Sequence, residues 1–222
     1  MGFLSRVAAI ALKDIVMEMR TKEILVSMFT FAFLVMVIFN FSFELKVENL
    51  VGLAPGVLWV AFVFAGVLGL SRSFILEKEN GSLDGLMLAP VDRSAIYLGK
   101  LLSNLAFMLA VDVVMVPLFA GLYNAPALNL YIFLVVFLGN LGFAAVGTLF
   151  SAVAVNTRIR ETMLPILFLP VVVPVVISAV KFTGAVLEGQ VGPALPWLNL
   201  LLAFDAVFLA LPFVLFEFVM EE

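Results

Sequence analysis

Long uncharged runs alternate with short polar interruptions along this chain. From Asn49 to Ser71 there are 23 residues without a charge, Ile24–Phe43 and Thr162–Val180 read the same way, and Gly189–Phe216 contains a single acid. Crossing a hydrocarbon core takes roughly 20 apolar residues at about 1.5 Å rise each. The pattern predicts six spans, at about 24–43, 51–74, 101–122, 128–151, 162–180 and 194–216. Strand-like alternation is absent, and lipid-exposed backbone must satisfy its own hydrogen bonds, so the spans are helices. The fold class expected is an all-α polytopic membrane protein, a single transmembrane domain over 1–222.

Composition agrees: hydrophobic residues make up 64% of the chain and mean hydropathy is +1.23. A pI near 4.9 suggests an acidic soluble protein, but the placement of Lys and Arg is what orients a membrane chain. Arg6, Lys13, Arg20, Lys22, Arg72, Lys78, Arg93, Lys100, Arg158 and Arg160 fall on one side of the six spans, against Lys46 and Lys181 on the other. Both termini are therefore expected in the cytoplasm. The aromatics Phe39, Phe41, Phe43, Tyr123, Tyr131 and Trp197 fall at the expected outer interface and Tyr97 at the inner one. No cleavable signal is expected, because the first span is about 20 residues long and follows a charged segment.

That segment, 1–23, places Leu4, Ala8, Leu12, Ile15 and Met19 on one helical face and Arg6, Lys13 and Arg20 on another. It reads as a helix lying in the cytoplasmic interface; the alternative is that it continues span one into water. Small residues recur four apart as Ala61, Ala65, Gly69 and Ser73 and as Asn140, Ala144, Thr148 and Ala152, ridges that let helices approach closely. Pro165, Pro170 and Pro174 are expected to kink or break span five. The stretch Lys181–Pro196, with three Gly and two Pro, is expected to form an external hairpin, re-entrant or interfacial.

The chemistry available is narrow. There is no Cys and no His, so no thiolate site and no imidazole base or ligand. Were this chain to handle a metal or a metal-containing cofactor, axial ligation would have to come from Met, Tyr or a partner chain. Asp112 and Asp205 lie near the middle of spans three and six. A charged carboxylate there costs about 2.5–3.5 kcal/mol, so each should face the bundle interior, be protonated, or both. They suit a substrate or proton path, or equally a neutral acid bonded to a neighbouring helix. An intramembrane aspartyl protease is the enzyme alternative, and Pro193-Ala194-Leu195 mimics one of its motifs. Neither Asp lies in a GxGD sequence, however, and the triplet precedes the second Asp where it should follow it.

The longest polar stretch, 75–100, is expected to be a cytoplasmic loop. Gly81 breaks the helix leaving span two, Ser82 is a good N-cap, Asp84 suits the first turn, and Pro90 stops the next helix. Leu83, Leu86 and Met87 form a stripe on a helix of about two turns, which is marginal in water and makes sense when docked. The pattern ExENGSLDGLMLAP…YLGK resembles the coupling loop of ABC-2 type transport permeases. ALKDIVMEMRTKE running into FNFSF, LAPGVLWVAFVFAG followed by LSRSF, LAPVDRSAIYLGKL, and the closing LLAFDAVFLALPFVLFEFVMEE are together similar to the heme exporter permease family of the cytochrome c maturation system, its B subunit. The likeness covers essentially the whole chain.

That resemblance implies a multi-pass inner-membrane permease in cytochrome c biogenesis, itself not an enzyme, with ATP hydrolysed by a separate ABC ATPase subunit. No Walker A loop is present, because Gly99-Lys100 is followed by Leu101 and Ser94 stands five before Gly99. It further implies a second permease, as a homodimer or as a paired chain, since six spans are half of the usual pathway, and a heme-handling membrane subunit. No cofactor would be bound by this chain: ATP would sit on the partner, and heme would be substrate. No nucleic-acid partner is expected. Glu77, Glu79, Gly81, Leu83, Asp84, Leu86, Met87 and Pro90 are the residues expected to meet the ATPase. A permease for another amphiphile, such as a drug or lipid, and a non-transporting assembly subunit are the alternatives.

Overall fold

A computed structural model describes residues 2–44, 50–79, 91–155 and 160–219. Within them lie seven helices and no strand: α1 (Phe3–Thr21), α2 (Glu23–Glu44), α3 (Leu50–Glu79), α4 (Arg93–Leu122), α5 (Leu130–Val155), α6 (Arg160–Leu187) and α7 (Val191–Val219). The last six are each long and apolar enough to cross a membrane, as the uncharged runs require, and the chain is a multi-pass membrane protein. Helices α3 and α5 are the most enclosed, and α2 and α7 the most exposed. Packing is α2 on α3, α5 on α6 and α7, α3 on α6, and α1 on α4.

Both small-residue ridges lie where helices meet. Ala61 and Ala65 are buried in α3, and a methyl added at Gly69 would fall 2.6 Å from Met28 Sδ of α2. Asn140, Ala144, Thr148 and Ala152 are all buried in α5. Polar groups on this surface are matched across it. Asn104 donates to Thr148 Oγ1 at 3.0 Å, Ser151 to the Leu70 carbonyl at 3.0 Å, and Trp59 Nε1 to Thr183 Oγ1 at 2.9 Å. In a hydrocarbon surround such bonds hold helices in register, each contributing about 0.6 kcal/mol.

Span five is not broken: helix α6 passes as one element through Pro165, Pro170 and Pro174. Proline is tolerated in membrane helices because neighbouring groups can take up the freed carbonyls, and Ser178 Oγ adds a bond back to the Pro174 carbonyl at 2.7 Å within the helix. Residues 181–196 do not make a hairpin of their own: α6 runs to Leu187 and α7 begins at Val191. Only 188–190 connect them, with Gly189 at φ +74°, a left-handed conformation open to glycine at no steric cost. Pro193 then sits in the first turn of α7, where a missing N–H matters least, and Pro196 lies in the second turn. Helix enters the polar stretch 75–100 from both ends, since α3 extends to Glu79 and α4 starts at Arg93, while 80–90 lie outside the described residues. Tyr97 consequently lies in the core, its hydroxyl bonded to the Ala145 carbonyl at 3.0 Å, and is not a headgroup anchor. Tyr123 is likewise buried and donates to the Met36 carbonyl at 2.9 Å, whereas Phe41 and Tyr131 are exposed as interface aromatics should be.

Helix α1 does not continue into α2. Lys22 takes a left-handed conformation (φ 59°), and its N–H bonds the Glu18 carbonyl at 2.6 Å, closing α1 before α2 begins. The stripe Leu4, Leu12 and Met19 faces outward, with Leu4 78% exposed, as suits a helix whose apolar face meets lipid. Val7, Ile10, Ala11, Asp14 and Glu18 turn inward.

Candidate functional site

Two polar regions stand out in the described bundle, one where α1 lies on the beginning of α4 and one around the middle of α5. At the first, Ile10 packs against Gly99, where any side chain would strike Ile10 Cβ at 2.7 Å. One turn on, Asp14 Oδ2 meets Lys100 Nζ at 2.9 Å, and Asp14 Oδ1 meets Lys13 Nζ at 3.2 Å. Ser103 Oγ lies 3.1 Å from Asp14 Oδ2 and 3.0 Å from the Lys100 carbonyl, so its proton can serve either acceptor. Glu18 accepts the Leu25 N–H at 2.9 Å, fastening the turn into α2. Arg6 reaches Asp92 at 3.4 Å on the surface, a contact of small weight.

This cluster fixes α1 to the helix that follows the expected coupling segment. The sequence reading missed it. Asp14 and Glu18 continue the i, i+3, i+4 series of Val7, Ile10 and Ala11, so acids on an otherwise apolar stripe were the available signal.

Of the residues expected to meet an ATPase, Gly81, Leu83, Asp84, Leu86, Met87 and Pro90 lie outside the described residues. The backbone of Glu77 and Glu79 belongs to the last turns of α3.

The second region contains both intramembrane acids, and α5 brings them together without pairing them. Asp112 of α4 is buried and accepts a short hydrogen bond from Asn140 Nδ2. Beside Asn140 is a cavity of about 10 Å³, walled by Trp59, Phe62, Val63 and Phe143, close to the size needed for one water. Asp205 of α7 packs two residues along, against Gly142, where a Cβ would fall 2.4 Å from Asp205 Oδ1. Among the described residues neither Asp205 oxygen has a hydrogen-bond partner. The two carboxyls therefore do not share a proton, and the arrangement is not that of an aspartyl protease dyad. One acid is held and the other is not, so the region has an unspent hydrogen-bonding group inside the bundle.

Comparison with known proteins bears on what such a bundle serves. Heme exporter protein B of Rhodobacter capsulatus is 34% identical over 143 residues, covering 64% of this chain and 66% of the relative. The proteins of the same name from Pseudomonas aeruginosa and Paracoccus denitrificans are 31% and 32% identical, covering 62% and 63% of their own lengths. These alignments thus span slightly less than two thirds of each relative. The family described as CcmB protein matches residues 5–219, and the chain belongs to that family.

Proposed function

We propose that this chain is the membrane permease subunit of an ABC complex in cytochrome c biogenesis, coupling ATP hydrolysis on a separate subunit to heme export or to release of a heme chaperone. Membership of the CcmB family and relatives named heme exporter protein B support the reading. The observation that carries its mechanism is the buried Asp14–Lys100 contact. Force applied at the polar segment before α4 reaches α4 directly and α1 through this pair, so the two helices move as one body. The expected contact with the ATPase is the segment 82–89, with Leu83, Leu86 and Met87 filling a groove and Glu77, Glu79 and Asp84 at its rim. A second copy of the chain would complete the pathway, and heme would be substrate.

Truncating a central anchor of such an interface costs about 2 kcal/mol or more, and rim charges less. Leu86→Asp should detach the ATPase or uncouple hydrolysis while leaving membrane insertion intact. Co-purification of the ATPase, its ATP turnover and cytochrome c maturation are the readouts, with Lys181→Asp as a distant control. Full maturation and co-purification in Leu86→Asp would remove the coupling assignment.

A further inference from the structure

The elbow between α1 and α2 leaves a groove that the bundle does not fill. Because Lys22 turns the chain sharply, α1 runs along α4 while α2 starts beside it, and a hollow of about 340 Å³ opens between α2 and α4. Leu25, Val26 and Phe29 form one wall, and Ala110, Val111 and Val114 the other. Lys22 and Met19 stand at the elbow end. Among the described residues no acid lines the groove. The acids nearby are engaged elsewhere: Glu18 is turned inward to the Leu25 N–H, and Glu23 faces Arg72 at 4.0 Å. Lys22 and Arg20 form no ion pair with the described residues.

We propose that this groove binds one acyl chain of an anionic phospholipid, whose headgroup phosphate is held by the Lys22 ammonium. The Glu23–Arg72 contact marks the level at which α2 and α3 leave their apolar runs. From that level Leu25, Val26 and Phe29 descend along α2, so the slot leads from a cation inward into the apolar depth, which is the layout of a lipid. Val26 and Val114 are about half exposed, leaving the slot open along its length to the surrounding bilayer. Basic residues between helices at a membrane surface select net-negative headgroups, whereas a zwitterionic headgroup brings its own cation against Lys22. A helix of another protein is too large an occupant, since a single turn is a cylinder about 10 Å across and 5.4 Å tall.

Native mass spectrometry of the full chain in mild detergent tests this, with dioleoyl phosphatidylglycerol and dioleoyl phosphatidylcholine titrated in parallel. The anionic lipid should be retained about fivefold over the zwitterionic one, the discrimination one basic side chain gives at a membrane surface. Lys22→Asn keeps a residue that tolerates the left-handed backbone. It should bring the ratio to about one without moving the unfolding temperature. Ala110→Trp, at an exposed position in the wall, should fill the slot and abolish retention of both lipids while Lys22 remains. Equal retention by the unmodified chain, a ratio that follows Arg20→Gln in place of Lys22→Asn, or chain dimers that form where the lipid adduct was expected would each overturn the assignment.

Discussion

Lys100 Nζ lies 2.9 Å from Asp14 Oδ2, and both side chains are more than nine-tenths buried between α1 and the start of α4. Two charges removed from water are expensive, and their attraction compensates only when the geometry is good and further hydrogen bonds are made. Here Lys13 and Ser103 supply those contacts on the carboxylate side. The pair sets where an otherwise sliding amphipathic helix sits, because Asp14 meets Lys100 one turn beyond the Ile10–Gly99 contact.

Removing either partner should therefore be unequal in cost. Asp14→Ala removes the carboxylate that Lys100, Lys13 and Ser103 contact in common and should lower stability by about 3 kcal/mol or more. Lys100→Ala leaves Asp14 with Lys13 and Ser103 and should cost less. The double substitution Asp14→Leu with Lys100→Met should recover most of the loss, since apolar replacements of buried pairs are often neutral. Unfolding midpoints in detergent for the three variants measure this; a double variant no better than Asp14→Ala would show that the pair is not the unit of stability.

Gly142 and Asp205 make a second test. A methyl at Gly142 would fall 2.4 Å from Asp205 Oδ1, so Gly142→Ala should destabilise by about 1–3 kcal/mol through overpacking of α5 against α7. Asp205→Ala should relieve that clash. By itself it should cost less than about 1 kcal/mol, because it removes a buried carboxyl that has no partner to lose. A stable Asp205→Ala chain that fails to support cytochrome c maturation would mark the carboxyl as functional, and a stable, fully active one would mark it as dispensable.

Asp112 should behave in the opposite way. Asp112→Ala leaves Asn140 Nδ2 buried without its acceptor, at a cost of about 1–3 kcal/mol, and Asn140→Ala does the converse. A double-mutant cycle on unfolding midpoints should give a coupling of about 1 kcal/mol between them. Additive losses would mean that the bond contributes nothing in the bilayer-mimicking environment.

The spans were legible because a run without charge has one physical meaning at such length. Their ends were less so. Span three was expected from residue 101, yet α4 begins at Arg93, because Lys100 could be drawn into the fold once Asp14 met it from a distant part of the chain. Periodicity cannot show a partner supplied by packing. The Gly and Pro of 181–196 suggested a hairpin, but Pro193 sits in the first turn of α7, where a helix tolerates it, and Gly189 alone has a positive φ in the turn. The exposed stripe of α1 was readable as a lipid-facing face, whereas Asp14 and Glu18 were passed over, because acids on a helix take on meaning only once the helix has a neighbour. Asp112 and Asp205 were conspicuous as charges in apolar runs, but that one is held by Asn140 and the other by nothing depends on the rotation of three helices.

The placement of Lys and Arg predicts which end of the bundle faces the cytoplasm, and thiol labelling can check it cleanly because the chain has no cysteine of its own. Single cysteines at Gln190, exposed in the turn between α6 and α7, and at Glu48 should react with an impermeant reagent applied from outside. A cysteine at Asp92 should react only after permeabilisation. The Arg6–Asp92 and Lys100–Asp14 contacts tie α1 to the beginning of α4, so a cysteine at Ser5 must share the accessibility of Asp92 whichever way the bundle faces. Ser5 and Asp92 on opposite sides would refute the α1–α4 docking itself. Both reacting from outside, with Gln190 protected, would keep the docking and invert the orientation, placing the 82–89 segment where no cytoplasmic ATPase could reach it.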